Sequence, residues 1–337
     1  MSSKYISSSV HISGLMLTPR MTQKNASTIA ELVLLGFSSH PQAEIPLFFL
    51  FCLVYLVNLS GNTAVIILVI IDSCLQTPMY FFLCHLAFVN IFYTTVVVPK
   101  MLFNLLTSRK VISYKFCLVQ TYISLFMGAA ECMILAVMAL DRYVAICYPL
   151  RYLLIMNQSA CVQLAVGAWI ISFLASVVPL YMTIAPFCGP YVIDHIFCEV
   201  PVLLHMVCGD TSLQETMMVT GASGTLLLPF LLIILSYLNI LVAVMKMNSA
   251  EDRKKASSTC SSHLTVVVIY YGTGMFMYMR PKSLYSAEGD KLISLFYAVI
   301  NPALNPLIYS LRNKEVKRAM RRVWKGWVMS QSQKTPS

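Results

Sequence analysis

Charge is what this sequence has least of. Only 11% of its 337 residues are Asp, Glu, Lys or Arg, where a soluble domain carries about 25%. That scarcity excludes an ordinary soluble enzyme. The 58% hydrophobic content and a mean hydropathy of +0.73 exclude a disordered chain. Catalytic signatures are missing as well: no G-x-x-x-x-G-K-[ST], H-E-x-x-H or G-x-S-x-G occurs. Gly209-Asp210 follows Val207-Cys208 and so lacks the spacing of an intramembrane aspartyl protease. Glu131 is the one carboxylate in the middle of an apolar stretch, which leaves no acid–base dyad there. The expectation is a protein that is not an enzyme and has no cofactor. The net charge of +10 does not point to nucleic acid, because the basic residues sit in short pieces between apolar runs. Residues 1–44 are polar and Ser-rich, with no basic start leading into an apolar run. No cleavable signal peptide is expected, so the first apolar run must target the chain, and Met21 is an alternative start. No cysteine follows Tyr309 to carry a tail palmitoyl group.

Long apolar runs are what the sequence has in abundance. Seven stand out: Ile45–Ile71, Pro78–Val98, Cys117–Leu140, Ala160–Tyr181, Thr216–Met245, His263–Met279 and Leu292–Tyr309. Each can cross about 30 Å of hydrocarbon as a helix, the last two near the lower limit. Lipid offers no partner to an unpaired backbone group, so helix is the expected state. The fold class is therefore an all-α membrane protein, a seven-transmembrane helix bundle with a short amphipathic membrane-surface helix after the last span. The expected organisation is an extracellular tail over residues 1–44, the bundle over 45–309, and a cytoplasmic amphipathic helix and tail over 310–337. Pro179, Pro229, Pro302 and Pro306 lie inside spans and predict kinks.

Orientation rests on two features. Asn25-Ala26-Ser27 is a glycosylation acceptor, usable only on the luminal side. The segment after Tyr309 carries Arg312, Lys314, Lys317, Arg318, Arg321, Arg322 and Lys325, a cytoplasmic pattern. Lys4, Arg20 and Lys24 before the first span argue weakly the other way. The acceptors Asn58-Leu59-Ser60 and Asn157-Gln158-Ser159 fall in a span and an inner loop and are discounted.

In this topology Cys117, Cys188, Cys198 and Cys208 lie outside, an even set in an oxidising compartment, which reads as two disulfides with the pairing open. A rival metal reading uses His195, Cys198, His205 and Cys208 at ligand-like spacing. Oxidised sulfur is no thiolate ligand, so no metal is expected, and both histidines read as surface-loop residues. Glu131 is a functional candidate because an ionisable group in lipid is costly. Asn62, Asn90, Asn301 and Asn305 are its candidate partners in a polar core, although interhelical glue alone explains single asparagines. Asp141-Arg142-Tyr143 closes the third span and reads either as a surface ion pair or as a latch whose arginine is freed in one of two helix arrangements. In Arg312–Trp327 the apolar residues Val316, Met320, Val323 and Trp327 recur on one stripe with basic residues off it, a helix suited to an anionic leaflet.

Several segments taken in order resemble the olfactory receptors, within the rhodopsin-like G-protein-coupled receptors. They are Leu34-Leu35-Gly36-Phe37-Ser38, Gly61-Asn62, Pro78-Met79-Tyr80-Phe81-Phe82-Leu83, Pro99-Lys100-Met101-Leu102, Met138-Ala139-Leu140-Asp141-Arg142-Tyr143-Val144-Ala145-Ile146-Cys147, Ser236-Tyr237, the run Lys255–Leu264 (KASSTCSSHL) and Asn305-Pro306-Leu307-Ile308-Tyr309. The resemblance covers the chain from about Asn25 to Val328. It implies an odorant bound between the outer halves of spans 3, 5, 6 and 7 and an outward swing of span 6 at its inner end. Arg142 would leave Asp141 and, with Tyr237 and Tyr309, shape a cleft for a stimulatory G protein that raises cyclic AMP at the plasma membrane. The resemblance also implies Cys117–Cys198 and Cys188–Cys208 disulfides.

Helix spacing then suggests ligand-facing residues: Ser124 and Gly128 on span 3, Gly221 and Thr225 on span 5, Tyr271 and Tyr278 on span 6, Leu295 and Ala298 on span 7. This set suits a small, neutral, volatile ligand and holds no carboxylate for an amine. Gly, Ala, Ser and Thr also serve tight helix packing. In this family an Asp usually stands where this chain has Asn90, and that Asp with Glu131 would hold a sodium ion. Weak sodium sensitivity and altered basal signalling are therefore expected. Leu140 stands where the family often has Tyr, with little consequence expected. A rhodopsin-like receptor for an endogenous metabolite is the alternative. A transporter or channel is a weaker one, because the Asp-Arg-Tyr and Asn-Pro-x-x-Tyr segments have no second copies.

Overall fold

Seven long helices follow one another in the computed structural model, which describes residues 31–183, 187, 191–204, 206–279, 286–312 and 315–323. They are α1 Pro41–Ile71, α2 Pro78–Leu106, α3 Tyr114–Cys147, α4 Gln158–Thr183, α5 Ser212–Met245 and α6 Ala250–Met279. The last, α7, runs as Ala287–Leu295, a π-turn Phe296–Ile300 and Asn301–Arg312. A short helix, α8, covers residues 315–323.

Local chemistry starts them. Pro41 and Pro78 occupy the first turn of α1 and α2, where a missing N–H costs nothing. Ser113 caps α3 by accepting from Phe116 N at 3.2 Å, and Ser286 caps α7 by accepting from Gly289 N at 3.1 Å. Glu288 and Asp290 then lie in the first turn of α7, where the helix dipole favours negative charge. The π-turn of α7 comes immediately before Asn301-Pro302, a place where the absent proline N–H interrupts the ordinary ladder.

Six helices among the described residues are long and apolar enough to cross a membrane. The exception is α6, whose first turns hold Glu251, Asp252, Arg253, Lys254 and Lys255 before the apolar part begins. Central α3 packs against α2, α4, α5 and α6, and 61% of its most apolar stretch is buried against 17% for α5. On α5, Leu228, Leu231 and Leu235 point outward, as do Leu53, Ile67 and Ile70 on α1. A belt of large apolar side chains without protein partners is the surface of a multi-pass membrane protein, solvated by lipid.

One end of the bundle carries a small sheet of order β2-β1-β3, with β1 Glu31–Leu34, β2 Val111–Ser113 and β3 Val192–Ile193. β1 is antiparallel to β2, with Leu32 opposite Ile112, and parallel to β3, with Leu34 opposite Ile193. The polar tail expected over residues 1–44 thus ends in an ordered strand and the first turn of α1. Leu32 and Leu34 are fully buried beside Ile112, Ile193 and Leu203, and burying these alternate side chains fixes the register. Gly36 follows with a positive φ of 54°, the backbone turn that lets Leu35-Gly36-Phe37-Ser38 leave the sheet for α1. The Cys117–Cys198 disulfide ties the first turn of α3 to the loop after β3.

At the opposite end α8 folds back on the bundle. Its buried residues are Val316 and Ala319, with Val323 packed alongside, while Met320 is 38% exposed. The apolar stripe assigned from the sequence to Val316, Met320 and Val323 is therefore turned by one residue in its middle. Ala319 is fully buried in the core cluster of the bundle. Arg322 Nη2 lies 2.8 Å from Asp72 Oδ2, and Tyr80 OH donates to Glu315 Oε2 at 3.0 Å, so α8 is pinned to the α1–α2 turn. Burial works against the Asp72 charge, but Arg322 and the Cys74 N–H outweigh it and hold the carboxyl below its ordinary range. Trp327 and Asn25 lie outside the described residues.

Candidate functional site

A cavity of about 120 Å³ opens between α3, α4, α5, α6 and α7, below the disulfide-held loop. Ser124, Gly128, Glu131 and Cys132 line it from α3, Gly221 and Thr225 from α5, Tyr270 from α6, Tyr297 from α7, and Val200 from the loop. Four of the eight residues expected from helix spacing are there: Ser124, Gly128, Gly221 and Thr225. On α6 the structure turns Tyr270 inward in place of Tyr271. Tyr271 is buried between helices and donates from its OH to Cys132 O at 3.0 Å. On α7 Leu295 and Ala298 are buried in the core, and Tyr297 faces the cavity. The π-turn at Phe296–Ile300 shifts the phase of α7 there, which even spacing cannot anticipate. The Tyr278 side chain lies outside the described ones. The expected set held no carboxylate, whereas Glu131 is part of the cavity lining.

Glu131 also terminates a polar chain through the bundle. Asn62 Nδ2 donates to Asn58 O at 2.9 Å and to Pro302 O at 3.3 Å. Asn90 Nδ2 donates to Asn62 Oδ1 at 3.2 Å. Asn305 Nδ2 bridges Asn90 Oδ1 at 3.3 Å and Glu131 Oε1 at 3.1 Å. These bonds join α1, α2, α7 and α3. Asn58, set aside in the sequence as an unusable glycosylation site, belongs to this chain through Thr94 Oγ1 and Asn90 O. An Asn one helical turn before Asn62 was the signal for it. Asn301 is fully buried, and neither its Oδ1 nor its Nδ2 has a partner. α1 comes close to α7 here, since a Cβ on Gly61 would sit 2.9 Å from the Pro306 ring.

Toward the α8 end, Asp141 Oδ1 accepts from Tyr152 OH at 2.8 Å. Burial, then the Asp141 charge, push the Tyr152 phenol well up. No ion pair joins Asp141 to Arg142 within 4.0 Å, and Arg142 Nε has no hydrogen-bond partner. Tyr152, from the segment after α3, takes Asp141 Oδ1, so the arrangement here is one in which Arg142 makes no close ion pair with Asp141. Tyr143 bonds Tyr148 OH at 3.3 Å. Tyr237 OH lies 2.8 Å from His263 Nδ1, and His263 Nε2 lies 3.1 Å from Leu135 O. A carbonyl only accepts, so Nε2 carries the proton and Tyr237 donates to Nδ1. His263 thereby ties α5, α6 and α3 together, a role that its sequence motif alone did not reveal. Tyr309 is buried with its OH unpaired.

At the sheet end a second polar cluster covers the cavity. His195 and Glu199 are 2% and 4% exposed, and His195 Nε2 lies 3.0 Å from Glu199 Oε1 in an ion pair off the line of a hydrogen bond. Ser294 Oγ donates to Glu199 Oε1 at 3.1 Å, and Tyr297 OH donates to Oε2. Burial raises the Glu199 carboxyl, yet the His195 ring beside it and the hydrogen bonds from Tyr297 and Ser294 outweigh it and hold the group below its ordinary value. The surface-loop reading of His195 is therefore wrong: it is a buried partner of Glu199. Cys198 is spent in the disulfide, so the metal reading loses a ligand, and His205 lies outside the described residues. Cys208 is also disulfide-bonded, while Cys188 lies outside the described residues.

A family profile described as olfactory receptor matches residues 51–326. The chain belongs to the olfactory receptor family. It is 48% identical to human olfactory receptor 2A12 over 90% of this chain and 98% of that one. With human olfactory receptor 10A7 it shares 45% over 90% and 96% of the two chains. Squid rhodopsin superposes with a TM-score of 0.66 at 19% identity, covering 86% of this chain and 87% of that one, a likeness of fold. This olfactory receptor is a rhodopsin-like G-protein-coupled receptor and not an enzyme.

The sodium ion implied by the family does not fit the residues present. Glu131 supplies a single carboxylate, and its Oε1 and Asn90 Oδ1 both already accept from Asn305 Nδ2. Asn62 Oδ1 is taken by Asn90 Nδ2. Glu131 Oε2, Asn305 Oδ1 and Asn301 Oδ1 accept no hydrogen bond among the described residues, so the misfit is one of charge: a single carboxylate stands where the implied site has two.

Proposed function

We propose that this receptor binds a small, mostly apolar odorant in the cavity between α3, α5, α6 and α7 and couples to a stimulatory G protein that raises cyclic AMP. The observation that carries the reading is the cavity itself: about 120 Å³, apolar in most of its lining, closed over by a disulfide-held loop. An apolar cavity of roughly 150 Å³ takes a molecule the size of benzene, so a volatile compound is the fitting occupant. In this reading the sheet end faces outward, the α8 end faces the cytoplasm, and the receptor sits at the plasma membrane with Asn25 glycosylated.

The switch follows from the residues at the cytoplasmic end. Outward movement of α6 must break the His263 contacts to Tyr237 and Leu135. Arg142, without an ion pair to Asp141, is then positioned with Tyr237 and Tyr309 to meet the G protein. Asn305 and Pro306 lie between ligand and cleft, where Asn305 holds Glu131 on one side and Asn90 on the other. A ligand that repacks the Glu131 end of the cavity therefore bears directly on α7. A cyclic AMP screen of cells expressing the receptor against a panel of small volatiles tests this. Dose-dependent cyclic AMP supports it, and ligand-evoked current in cells lacking G protein would replace it with a channel.

A further inference from the structure

The polar groups around the cavity are almost all committed to the protein. Thr225 Oγ1 donates to Gly221 O at 2.9 Å, Ser176 Oγ to Ser172 O at 2.6 Å, and Tyr270 OH to Gly128 O at 2.6 Å. Tyr297 OH is held by Glu199. Cys132 Sγ lies 3.6 Å from Tyr270 OH as its donor. Two groups are different. Ser124 Oγ is buried with no hydrogen-bond partner. Glu131 accepts from Asn305 through Oε1 alone, and among the described residues Oε2 takes no hydrogen bond.

Ser124, Gly128 and Glu131 succeed one another at i, i+4 and i+7, so they share the face of α3 that lines the cavity. Gly128 between them presents no side chain, and the nearest atom to a Cβ there would be Tyr270 OH at 3.7 Å. That is ordinary contact distance, so the cavity wall runs along this face of α3 from Ser124 past Gly128 to Glu131. Helical side chains lean toward the N-terminal end, which brings Glu131 toward Ser124 and into that space. Glu131 as a residue is 5% exposed, and an oxygen of such a side chain that takes no donor from the protein is an acceptor open to a ligand.

We infer that Glu131 is the polar anchor of the ligand cavity, and that this receptor selects small ligands carrying an O–H or N–H donor at the end that reaches deepest. The ligand's donor takes Oε2 while Asn305 keeps Oε1. The apolar remainder lies along Gly128 toward Ser124. An ether or hydrocarbon of the same shape leaves the carboxylate oxygen buried and unpaired. The inference rests on the receptor reading above and adds the ligand's chemical class. Alcohols and amines share the required donor, and the assay separates them.

The test uses matched sets built on one skeleton of about six to eight carbons, sized to the cavity: the primary alcohol, the primary amine, the methyl ether and the parent hydrocarbon. Cyclic AMP is read in cells expressing the full-length receptor. The alcohol or the amine should be more potent than the matched ether by about tenfold or more, the loss typical of leaving a buried acceptor without its donor. In Glu131→Gln, which keeps an acceptor oxygen but no carboxylate, the ratio should shrink, the amine losing most. Comparing ratios within one variant removes any general loss of coupling or surface expression. Should the variant not reach the surface, the wild-type ratio alone decides. Equal potency of ether and alcohol in the wild type, or an unchanged ratio in Glu131→Gln, overturns the anchor while leaving the receptor reading intact. Silence toward every compound in both this panel and the wider volatile screen counts against the receptor reading itself.

Discussion

Removing Glu199 should destabilise the lid of the cavity by an amount that can be worked from its partners. In Glu199→Leu the His195 ring stays buried without its counter-charge, and the buried Ser294 hydroxyl and the part-buried Tyr297 hydroxyl lose the acceptor that Glu199 gives them. Breaking one side of a buried ion pair costs about 3–5 kcal/mol, and the buried Ser294 hydroxyl left without this acceptor adds about 1–3 kcal/mol before relaxation. Part of that is recovered as the loop and α7 shift, so a net loss of about 4 kcal/mol is expected. At about 2–4 °C per kcal/mol, the thermal midpoint of the detergent-solubilised receptor should fall on the order of 10 °C. Glu199→Gln keeps an acceptor oxygen and the side-chain shape and should fall by roughly half as much. His195→Leu with Glu199→Leu should recover stability relative to Glu199→Leu alone, because the stranded charge is gone. The pH dependence has a definite sign. The Glu199 carboxyl is held below the ordinary 4.5, so its contribution is complete above that value and drains away as pH falls through the native value. The gap between wild type and Glu199→Leu should therefore narrow in acid. A Glu199→Leu receptor as heat-stable as the wild type at neutral pH would refute the reasoning.

Three other outcomes are expected. Arg142→Ala should abolish ligand-driven cyclic AMP while surface staining is largely kept, and normal signalling from it would count heavily against the proposed switch. Gly61→Leu should lower the thermal midpoint, because even a Cβ meets the rigid Pro306 ring at 2.9 Å and overpacking costs about 1–3 kcal/mol; an unchanged midpoint would show that α1 and α7 separate freely. Basal cyclic AMP should change little between sodium and choline media, since Asn90 leaves Glu131 as the single carboxylate at that place; a steep fall with sodium would contradict that reading.

Much of this protein was legible in its sequence, for a physical reason. A span needs only enough consecutive apolar residues to cover the hydrocarbon, which is a local property, so seven helices and the family motifs could be read without any tertiary knowledge. Glu131 was conspicuous for the same reason, as a carboxylate where lipid makes one costly. The direction a residue faces is another matter. Successive residues on a helix point about 100° apart, so an error of one position moves a side chain from cavity to core. Tyr270 in place of Tyr271, Tyr297 in place of Ala298 and Ala319 in place of Met320 are all errors of that kind, set by how neighbouring helices pack and by the π-turn in α7. Long-range partners were equally hidden. Glu199 meets Ser294 and Tyr297 across sequence separations of 95 and 98 residues, Tyr152 takes the place at Asp141 expected for Arg142, and His195 is sealed in by a loop that the disulfide folds back. Hydropathy along the chain determined what is helix and what is in lipid; only packing among the helices decided which polar atoms meet, because hydrogen bonds and cavities depend on distances between segments that the order of residues does not set.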